Sequence, residues 1–248
     1  MTEMVKARLN GKWDIILPEH RAARPEWTTG WEPERLDALE SEIKDQISKG
    51  QTPVVYDIGT EEGDMTGLYA QWGASVHAFE PNPRVWPNIK AIWEANNLPP
   101  LEGFFVGFAA AKTDIRPENI EAIIDQPIVD GWPFCAHGEV IGDHGFRTIA
   151  ERSGDTPSVR IDDYVSLTEE PPTIITMDVE GAEFEVLKGA ELILEQFSPV
   201  VFISVHPEFM FKDYGTYEAD MHLWLRQQGY TGRHFAYDHE HHWEYRKI

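Results

Sequence analysis

The alternation of apolar and polar residues in the first half of the chain predicts a regular order of strands and helices. Short apolar runs at 54–57, 75–80 and 101–108 are typical of buried strands. Between them, residues 64–72 and 84–97 carry apolar side chains at helical spacing. Such alternation is typical of a doubly wound, mostly parallel α/β sheet, and we therefore predict a Rossmann-like fold.

The second half of the chain continues the pattern. The remaining predicted elements are strands at 173–178 and 200–205, helices at 183–197 and 217–228, and a closing hairpin with strands at 230–236 and 242–248. Gly229 follows the last helix directly, which is a common way for a helix to end. All of these elements belong to one α/β layer pattern.

Three segments fall outside this pattern. Residues 1–33 show no clear periodicity and are predicted to be irregular, and a helix follows at 34–49. We therefore predict a lead-in with one helix over 1–50 and a single domain over 51–248. Residues 112–160 are rich in Pro, Gly and charge, with weak strand signals near 139–149, and are predicted to be an insertion or a lid.

Composition narrows the possible partners. The 248 residues are 42% hydrophobic, which is enough for a sizeable core. The formal net charge is -22, from 43 acidic against 21 basic residues, so neither nucleic acid nor an anionic membrane is a favoured partner. Cys135 is the one cysteine, which rules out a disulfide within the chain. We find no signal peptide or apolar membrane segment and expect a cytoplasmic location.

The stretch YDIGTEEGD at 56–64 resembles a dinucleotide-binding turn but does not suit a dinucleotide. In a nicotinamide enzyme the turn reads G-x-G-x-x-G, so that a pyrophosphate can approach the backbone. Here Gly59 is the first glycine, and Glu61 and Asp64 occupy the other two glycine positions. Carboxylates beside a pyrophosphate repel it by about 1–4 kcal/mol each. Asp64 is instead expected to N-cap the following helix.

A cationic nucleoside without phosphate fits the same turn. S-adenosylmethionine carries a sulfonium and an ammonium group, which the carboxylates would attract. Asp57 is placed to accept a hydrogen bond from the ammonium, and Glu80, 21 residues after the first glycine, to bind the ribose hydroxyls. The full set of expected cofactor-binding residues is Asp57, Gly59, Thr60, Glu61, Gly63, Glu80, Asn82, Phe108 and Ala109.

A second motif, MDVEGAEFEVLKGA at 177–190, follows the strand that ends at Asp178. Together with VYDIGTEEG, HAFEPNP, RIDDYV and VVFISVHPE, it resembles the FkbM-type methyltransferases, a class I S-adenosylmethionine-dependent family. The resemblance covers roughly residues 50–235. It implies a seven-stranded sheet with a last antiparallel strand, and methyl transfer, often to a hydroxyl of a sugar or a natural product. Relatives often have Glu where this chain has Ser204.

Catalysis is expected at the ends of two neighbouring strands, where Asp178, Glu180 and His206 lie. His206 is a candidate general base with a pKa near neutral, although a strand-end histidine bonded to backbone has the same sequence pattern. Asp178 and Glu180 are expected to orient the acceptor, a small molecule or a glycan selected by 112–160. A divalent metal is possible but not favoured, because hard cations need more oxygen ligands than this pattern provides.

Other functions stay open at this stage. A cofactor-binding or interaction module without activity could keep the same fold, and a nicotinamide oxidoreductase is disfavoured by the missing glycines. A nucleic-acid methyltransferase is disfavoured by the charge and by DVEG at the place where such enzymes carry a Pro-Pro motif for a flipped base. The histidines in DHEHHWEY can bind zinc in principle, but we interpret them as a solvated hairpin turn.

Overall fold

The computed structural model describes residues 3–114, 128–142, 156–237 and 240–248. Its strands are β1 Met4–Leu9, β2 Trp13–Pro18, β3 Val54–Ile58, β4 Ser75–Phe79, β5 Gly103–Phe105, β6 Phe108–Ala109, β7 Ile128–Val129, β8 Trp132–Pro133, β9 Ser158–Val159, β10 Ile174–Asp178, β11 Val200–Val205, β12 Tyr230–Tyr237 and β13 His241–Lys247. Its α-helices are α1 Glu19–Ala22, α2 Glu26–Thr29, α3 Pro33–Ser48, α4 Asp64–Gln71, α5 Trp86–Asn96, α6 Ile161–Thr168, α7 Glu183–Lys188, α8 Glu191–Gln196, α9 Pro207–Phe209 and α10 Glu218–Gln227. A 3₁₀ turn covers Phe134–His137 and a π-helical turn covers Met210–Tyr214.

Seven strands form the central sheet, in the order β12-β13-β11-β10-β3-β4-β5. The pairs from β11 through β5 are parallel, whereas β13 is antiparallel to both of its neighbours. The predicted doubly wound sheet with a last antiparallel strand is therefore confirmed. Because β3 and β10 are adjacent and parallel, their carboxyl ends meet at one edge, where α/β sheets bind ligands.

Two predicted elements are each divided in the structure. The predicted strand at 101–108 is shorter than expected, since only β5 joins the large sheet and β6 pairs with β9 instead. The predicted helix at 183–197 is interrupted between α7 and α8. At that break a Cβ on Gly189 would lie 2.0 Å from the Ala110 carbonyl oxygen, so another chain segment passes directly against the backbone.

The prediction of an irregular segment at 1–33 is wrong. β1 and β2 form an antiparallel hairpin, and α1 and α2 follow it. Trp13, Ile15 and Leu17 are buried at every second position of β2, and they join one hydrophobic cluster with Ile92 of α5. The alternation was present in the sequence, but tryptophans and prolines around it obscured the period of two.

The predicted insertion at 112–160 is described only in part. Residues 115–127 and 143–155 lie outside the described residues, and with them most of the strand signals near 139–149. The described part contains the short β7–β8 hairpin and the 3₁₀ turn. Across the described ranges, no helix is both long enough and apolar enough to cross a bilayer.

Candidate active site

A cavity of about 350 Å³ opens at the carboxyl ends of β3, β4 and β10. This volume lies at the lower end of the range for small-molecule sites. Ten of the twelve site residues predicted from the sequence line it: Asp57, Gly59, Thr60, Glu61, Glu80, Asn82, Phe108, Ala109, Asp178 and Glu180. Of the other two, Gly63 packs against Ile89 of α5, and His206 lies next to the lining, beside Asp178.

Gly59 joins the two halves of the site. It has a φ of +86°, and a Cβ at this position would lie 1.9 Å from the carbonyl oxygen of Asp178. The turn after β3 can thus touch the end of β10 only if residue 59 has no side chain. The amide groups of Gly59 and Thr60 both donate to the Phe79 carbonyl, at 2.9 and 3.2 Å, which ties the same turn to the end of β4.

The N-terminal segment binds the carboxylates of the glycine turn. Arg21, only 2% exposed, donates to Asp64 at 2.8 Å, to Glu61 at 2.9 Å and to Glu62 at 3.3 Å. Asp64 therefore forms an ion pair and does not cap α4, whose N-cap residue is Gly63. Sequence reasoning missed Arg21; its one signal is a pair of arginines, with Arg24, in a chain with a large acidic excess.

Glu62 is enclosed by this arrangement. It is fully buried, and its Oε2 lies 2.5 Å from His20 Nε2 and accepts from Asn88 Nδ2 at 2.5 Å. Glu61 keeps about 44% of its side chain exposed and also lies 3.6 Å from Arg24. Of the acids in the turn, Glu61 and Asp64 contribute to the cavity wall, and both are bound to Arg21.

Two further carboxyl groups lie deeper at the strand ends. Glu80 accepts backbone N–H bonds from Asn82 at 2.8 Å and Glu61 at 2.9 Å. Burial outweighs these bonds and raises the pKa of Glu80 to about 8. Burial likewise raises the pKa of Asp57 to about 6, although its Oδ2 accepts from Thr66 and Arg35 is nearby.

Two residues of β6 make part of the cavity lining apolar. Phe108 is half-buried and Ala109 is buried, both in the short strand β6. The Asn82 side chain accepts from the Arg84 amide at 3.1 Å, so it stabilises the turn after β4 while lining the cavity. Phe108 and Ala109 thus add apolar surface to a cavity lining that also contains the carboxyl groups at the ends of β3 and β4.

The other half of the cavity is built around Asp178, which keeps about a third of its side chain exposed at the end of β10. Its pKa is raised well above the usual range, first by burial and then by Glu240, while His206 opposes the shift. Glu180, in the left-handed region at φ +54°, projects beside it with 47% of its side chain exposed.

His206 lies among four carboxylates. Its Nδ1 is 2.7 Å from Glu183 Oε1, and its Nε2 is 3.2 Å from Glu240, 3.6 Å from Asp178 and 3.8 Å from Glu180. Burial lowers the pKa of His206, but the bonds to Glu183 and Glu240 and the charge of Asp178 outweigh it and raise the pKa to about 11. The expectation of a pKa near neutral is therefore wrong. A general base needs a neutral imidazole, which this environment disfavours.

Several site residues come from segments to which sequence reasoning assigned no role. Trp31 and Arg35 from the N-terminal segment and Glu240 from the closing hairpin line the cavity. Arg35 donates to Glu32 and to Thr176 of β10. His242 was expected in a solvated turn, yet it is 1% exposed and lies 3.1 Å from Ser204 Oγ.

The cavity as a whole is acidic. Its lining contains seven carboxyl groups and three arginines, an excess of four carboxyl groups. All three arginines already lie beside carboxylates, Arg21 and Arg24 at the glycine turn and Arg35 at Glu32. The cavity is thus suited to a ligand that is cationic or rich in hydrogen-bond donors.

Comparison with known protein families identifies one family whose domain matches this chain. The FkbM methyltransferase domain matches residues 57–231, which is more than half of the chain. No curated protein matches the chain. The matched range contains the glycine turn, Glu80, Asp178 and His206.

Solved structures of methyltransferases are similar at low identity. An FkbM methyltransferase from Methylobacillus flagellatus KT has a TM-score of 0.48 and 17% identity, over 79% of this chain and 43% of that one. The T. thermophilus 16S rRNA N2 G1207 methyltransferase has a TM-score of 0.48 and 16% identity, over 100% of this chain and 51% of that one. The magnesium protoporphyrin IX methyltransferase from Synechocystis PCC 6803 has a TM-score of 0.44 and 13% identity, over 87% of this chain and 80% of that one. The chain therefore spans about half or less of the first two proteins.

Proposed function

Because the chain belongs to the FkbM methyltransferase family, we propose that it transfers a methyl group from S-adenosylmethionine to a hydroxyl oxygen of a sugar, a glycan or a small natural product. The observation that carries this proposal is one cavity with two carboxyl pairs, Asp57 with Glu80 on one side and Asp178 with Glu180 on the other. The first pair suits a cationic nucleoside, and the second suits an acceptor that must lose a proton.

The first half of the cavity has groups that match S-adenosylmethionine. Glu80 offers carboxyl oxygens to the ribose hydroxyls, and Phe108 with Ala109 offers an apolar surface to the adenine. Asp57 is available to the ammonium group, and the excess of carboxyl groups favours the sulfonium. The bound cofactor would supply an electrophilic methyl group on a positively charged sulfur. The absence of a basic phosphate-binding turn is also consistent with a ligand that has no phosphate.

The second half would act on the acceptor. Methyl transfer to oxygen needs the acceptor held in line with the methyl group, and its proton removed. Asp178 and Glu180 both line the cavity and are placed to accept hydrogen bonds from acceptor hydroxyls. His206, which the surrounding carboxylates hold in its protonated form, would position Asp178 and would not remove a proton itself.

The test is transfer of a labelled methyl group from S-adenosylmethionine to a panel of sugars, glycan fragments and phenolic natural products. We expect labelled product with at least one hydroxylated acceptor, and its loss when the hydroxyl is already methylated. Labelling of amine acceptors alone would contradict the preference for oxygen.

A second candidate function, a cofactor-binding module without activity, is favoured by Ser204. Relatives of the family often have Glu at this position, and here the Ser204 hydroxyl is buried against His242. The neighbouring Glu240, however, brings a carboxyl group to within 3.2 Å of His206 from the adjacent hairpin. Binding of S-adenosylmethionine without turnover on any acceptor would favour the inactive module.

A further inference from the structure

Three side chains at the acceptor side of the cavity have the spacing of metal ligands. One ligand atom each from Asp178, His206 and Glu240 lies within 4.8 Å of the others. His206 Nε2 is 3.6 Å from Asp178 Oδ1 and 3.2 Å from Glu240 Oε1. Charged hydrogen bonds are shorter, at about 2.7–2.9 Å. Ligands that share an ion at about 2.1 Å lie roughly 3.0–3.4 Å apart in octahedral or tetrahedral geometry. The distance to Glu240 lies within this range, and the distance to Asp178 is slightly longer.

A neighbouring carboxylate orients the histidine for this task. Glu183 is fully buried, and its Oε1 lies 2.7 Å from His206 Nδ1 and accepts from the Gly181 amide at 3.0 Å. A carboxylate on one ring nitrogen fixes the other nitrogen toward a metal, and metal-binding histidines are commonly held in this way. Nε2 accordingly points to Asp178 and Glu240, which both line the cavity.

Burial and charge favour a cation at the same place. His206 and Glu240 are 8% and 7% exposed. Glu32, 1% exposed, has an Oε1 that no described residue hydrogen-bonds, and one of its carboxyl oxygens lies within 4.8 Å of Glu240. Glu32, Glu240 and His242 form a second group with similar spacing. That group is the weaker candidate, because Arg35 already binds Glu32.

We propose that Asp178, His206 and Glu240 bind a divalent cation of the Mn²⁺ or Mg²⁺ type, which displaces the proton of His206 Nε2 to solvent, with water and the acceptor completing its coordination. Two carboxylates and one imidazole suit Mn²⁺, and oxygen ligands suit Mg²⁺. The sequence pattern disfavoured a metal because it offered too few oxygen ligands, and Glu240 from the closing hairpin supplies the one that was missing.

The role of the cation rests on the proposed function, whereas its binding does not. A hydroxyl bound to such a cation loses its proton more readily. The proton would pass to Glu180, which lines the cavity 3.8 Å from His206. The oxygen lone pair would then form the bond to the methyl carbon while the carbon–sulfur pair returns to sulfur, which leaves a neutral thioether.

Titration of Mn²⁺ into chelator-treated protein, followed by electron paramagnetic resonance, tests the site. We expect one bound ion per chain, displaced by Mg²⁺, and an affinity at least about tenfold lower in Glu240→Gln. Glu183→Gln, which disturbs the orienting carboxylate, should weaken binding about 10–100-fold. Glu208→Gln is the matched control, since Glu208 is exposed on the adjacent helix and its loss should leave the affinity unchanged.

Folded wild-type protein that binds no Mn²⁺, or Glu240→Gln with wild-type affinity, would overturn the inference. His206→Gln provides a second ligand variant if Glu240→Gln does not fold. Binding of S-adenosylmethionine is measured separately in excess chelator. Cofactor binding without Mn²⁺ binding would remove the cation site alone, whereas Mn²⁺ binding without cofactor binding would remove the proposed function and leave the cation site.

Discussion

The two acidic turns that meet at Gly59 contrast in how their charges are balanced. After β3, Glu61, Glu62 and Asp64 converge on Arg21, which is almost fully buried. At the end of β10, Asp178 and Glu180 are joined by Glu183 of α7 and Glu240 of the closing hairpin, and His206 lies 2.7–3.8 Å from all four carboxylates. A similar density of acids thus has a structural use in one turn and is left partly exposed to the cavity in the other.

The difference shows why acidic residues in a motif cannot be assigned by type alone. A buried arginine that binds several carboxylates fixes a turn in place, because its removal leaves charges without compensation. Carboxyl groups that crowd one another, as Asp178 and Glu240 do, are unfavourable in the empty protein and become favourable when a proton, a cation or an acceptor joins them. The second turn is therefore the one that the proposed function assigns to the acceptor.

The largest expected effect is the loss of activity in a variant of the turn after β10, compared with the loss of stability in a variant of the turn after β3. Asp178→Asn should lower kcat/KM by about 10²-fold or more, because Asp178 positions the acceptor hydroxyl beside the methyl group. In chelator it should leave the free energy of unfolding equal or higher, because it relieves the crowding of carboxyl groups. Asp64→Asn should instead lower the free energy of unfolding by about 1.5–3 kcal/mol, because a buried bond to Arg21 is weakened.

Urea unfolding and initial rates of methyl transfer, measured on Asp178→Asn and Asp64→Asn, test these two predictions. Equal loss of stability in the two variants would mean that the turns do not differ as described.

Removal of the arginine tests the structural turn directly. Arg21→Ala should lower the free energy of unfolding by about 3–5 kcal/mol, since it leaves buried carboxylates unpaired. Arg24→Ala is the matched control and should cost no more than about 1 kcal/mol. Arg24 is partly exposed, and its ion pair to Glu61 is long at 3.6 Å. Similar costs for the two arginines in denaturant unfolding would contradict the central role of Arg21.

The junction between the turns is tested by Gly59→Ala. The added Cβ would clash with the Asp178 carbonyl oxygen, and the left-handed backbone adds strain, so we expect a loss of about 2–4 kcal/mol. Gly50→Ala has the same kind of backbone conformation but open space around it, and should cost about 1 kcal/mol or less. Thermal and urea unfolding compare the two, and equal costs would mean that the turns do not touch.

Glu80 gives the cavity a pH dependence. Its pKa is raised from 4.5 to about 8, so between these values the folded protein holds one proton more than the unfolded chain. The contribution of this group to stability therefore falls as the pH rises, by up to about 1.4 kcal/mol per pH unit. In Glu80→Gln, the free energy of unfolding measured in urea should fall less steeply between pH 5 and 8 than in the wild type. The same slope in both proteins would show that Glu80 titrates normally.

The sheet was predictable from the sequence because its central strands are buried on both faces and end at turn residues. The apolar runs at 54–57 and 173–178 match β3 and β10 within one residue at each end, and the closing hairpin was also found. The break at Gly189 was not, since it depends on Ala110, which is distant in the sequence. The periodicity of a helix carries no information about a contact with a residue as distant in the sequence as Ala110 is from Gly189.

The cavity was predictable only for the residues that follow the strands. Glu80 and Asp178 stand at strand ends, and their motifs identify them. Arg21 and Glu240 come from opposite ends of the chain, and only the fold brings them to the same cavity. The raised pKa of His206 depends on contacts with Glu183 and Glu240 that only the fold brings about, so the sequence alone suggested a pKa near neutral.

The central claim is that the cavity binds S-adenosylmethionine through Glu80. Calorimetric titration of S-adenosylmethionine and of its demethylated product into the wild-type protein and Glu80→Ala tests it most directly, with NAD as the comparison ligand. We expect micromolar binding of both compounds to the wild type, its loss in the variant, and no binding of NAD. No binding to folded wild-type protein, or equal binding to Glu80→Ala, would contradict the account.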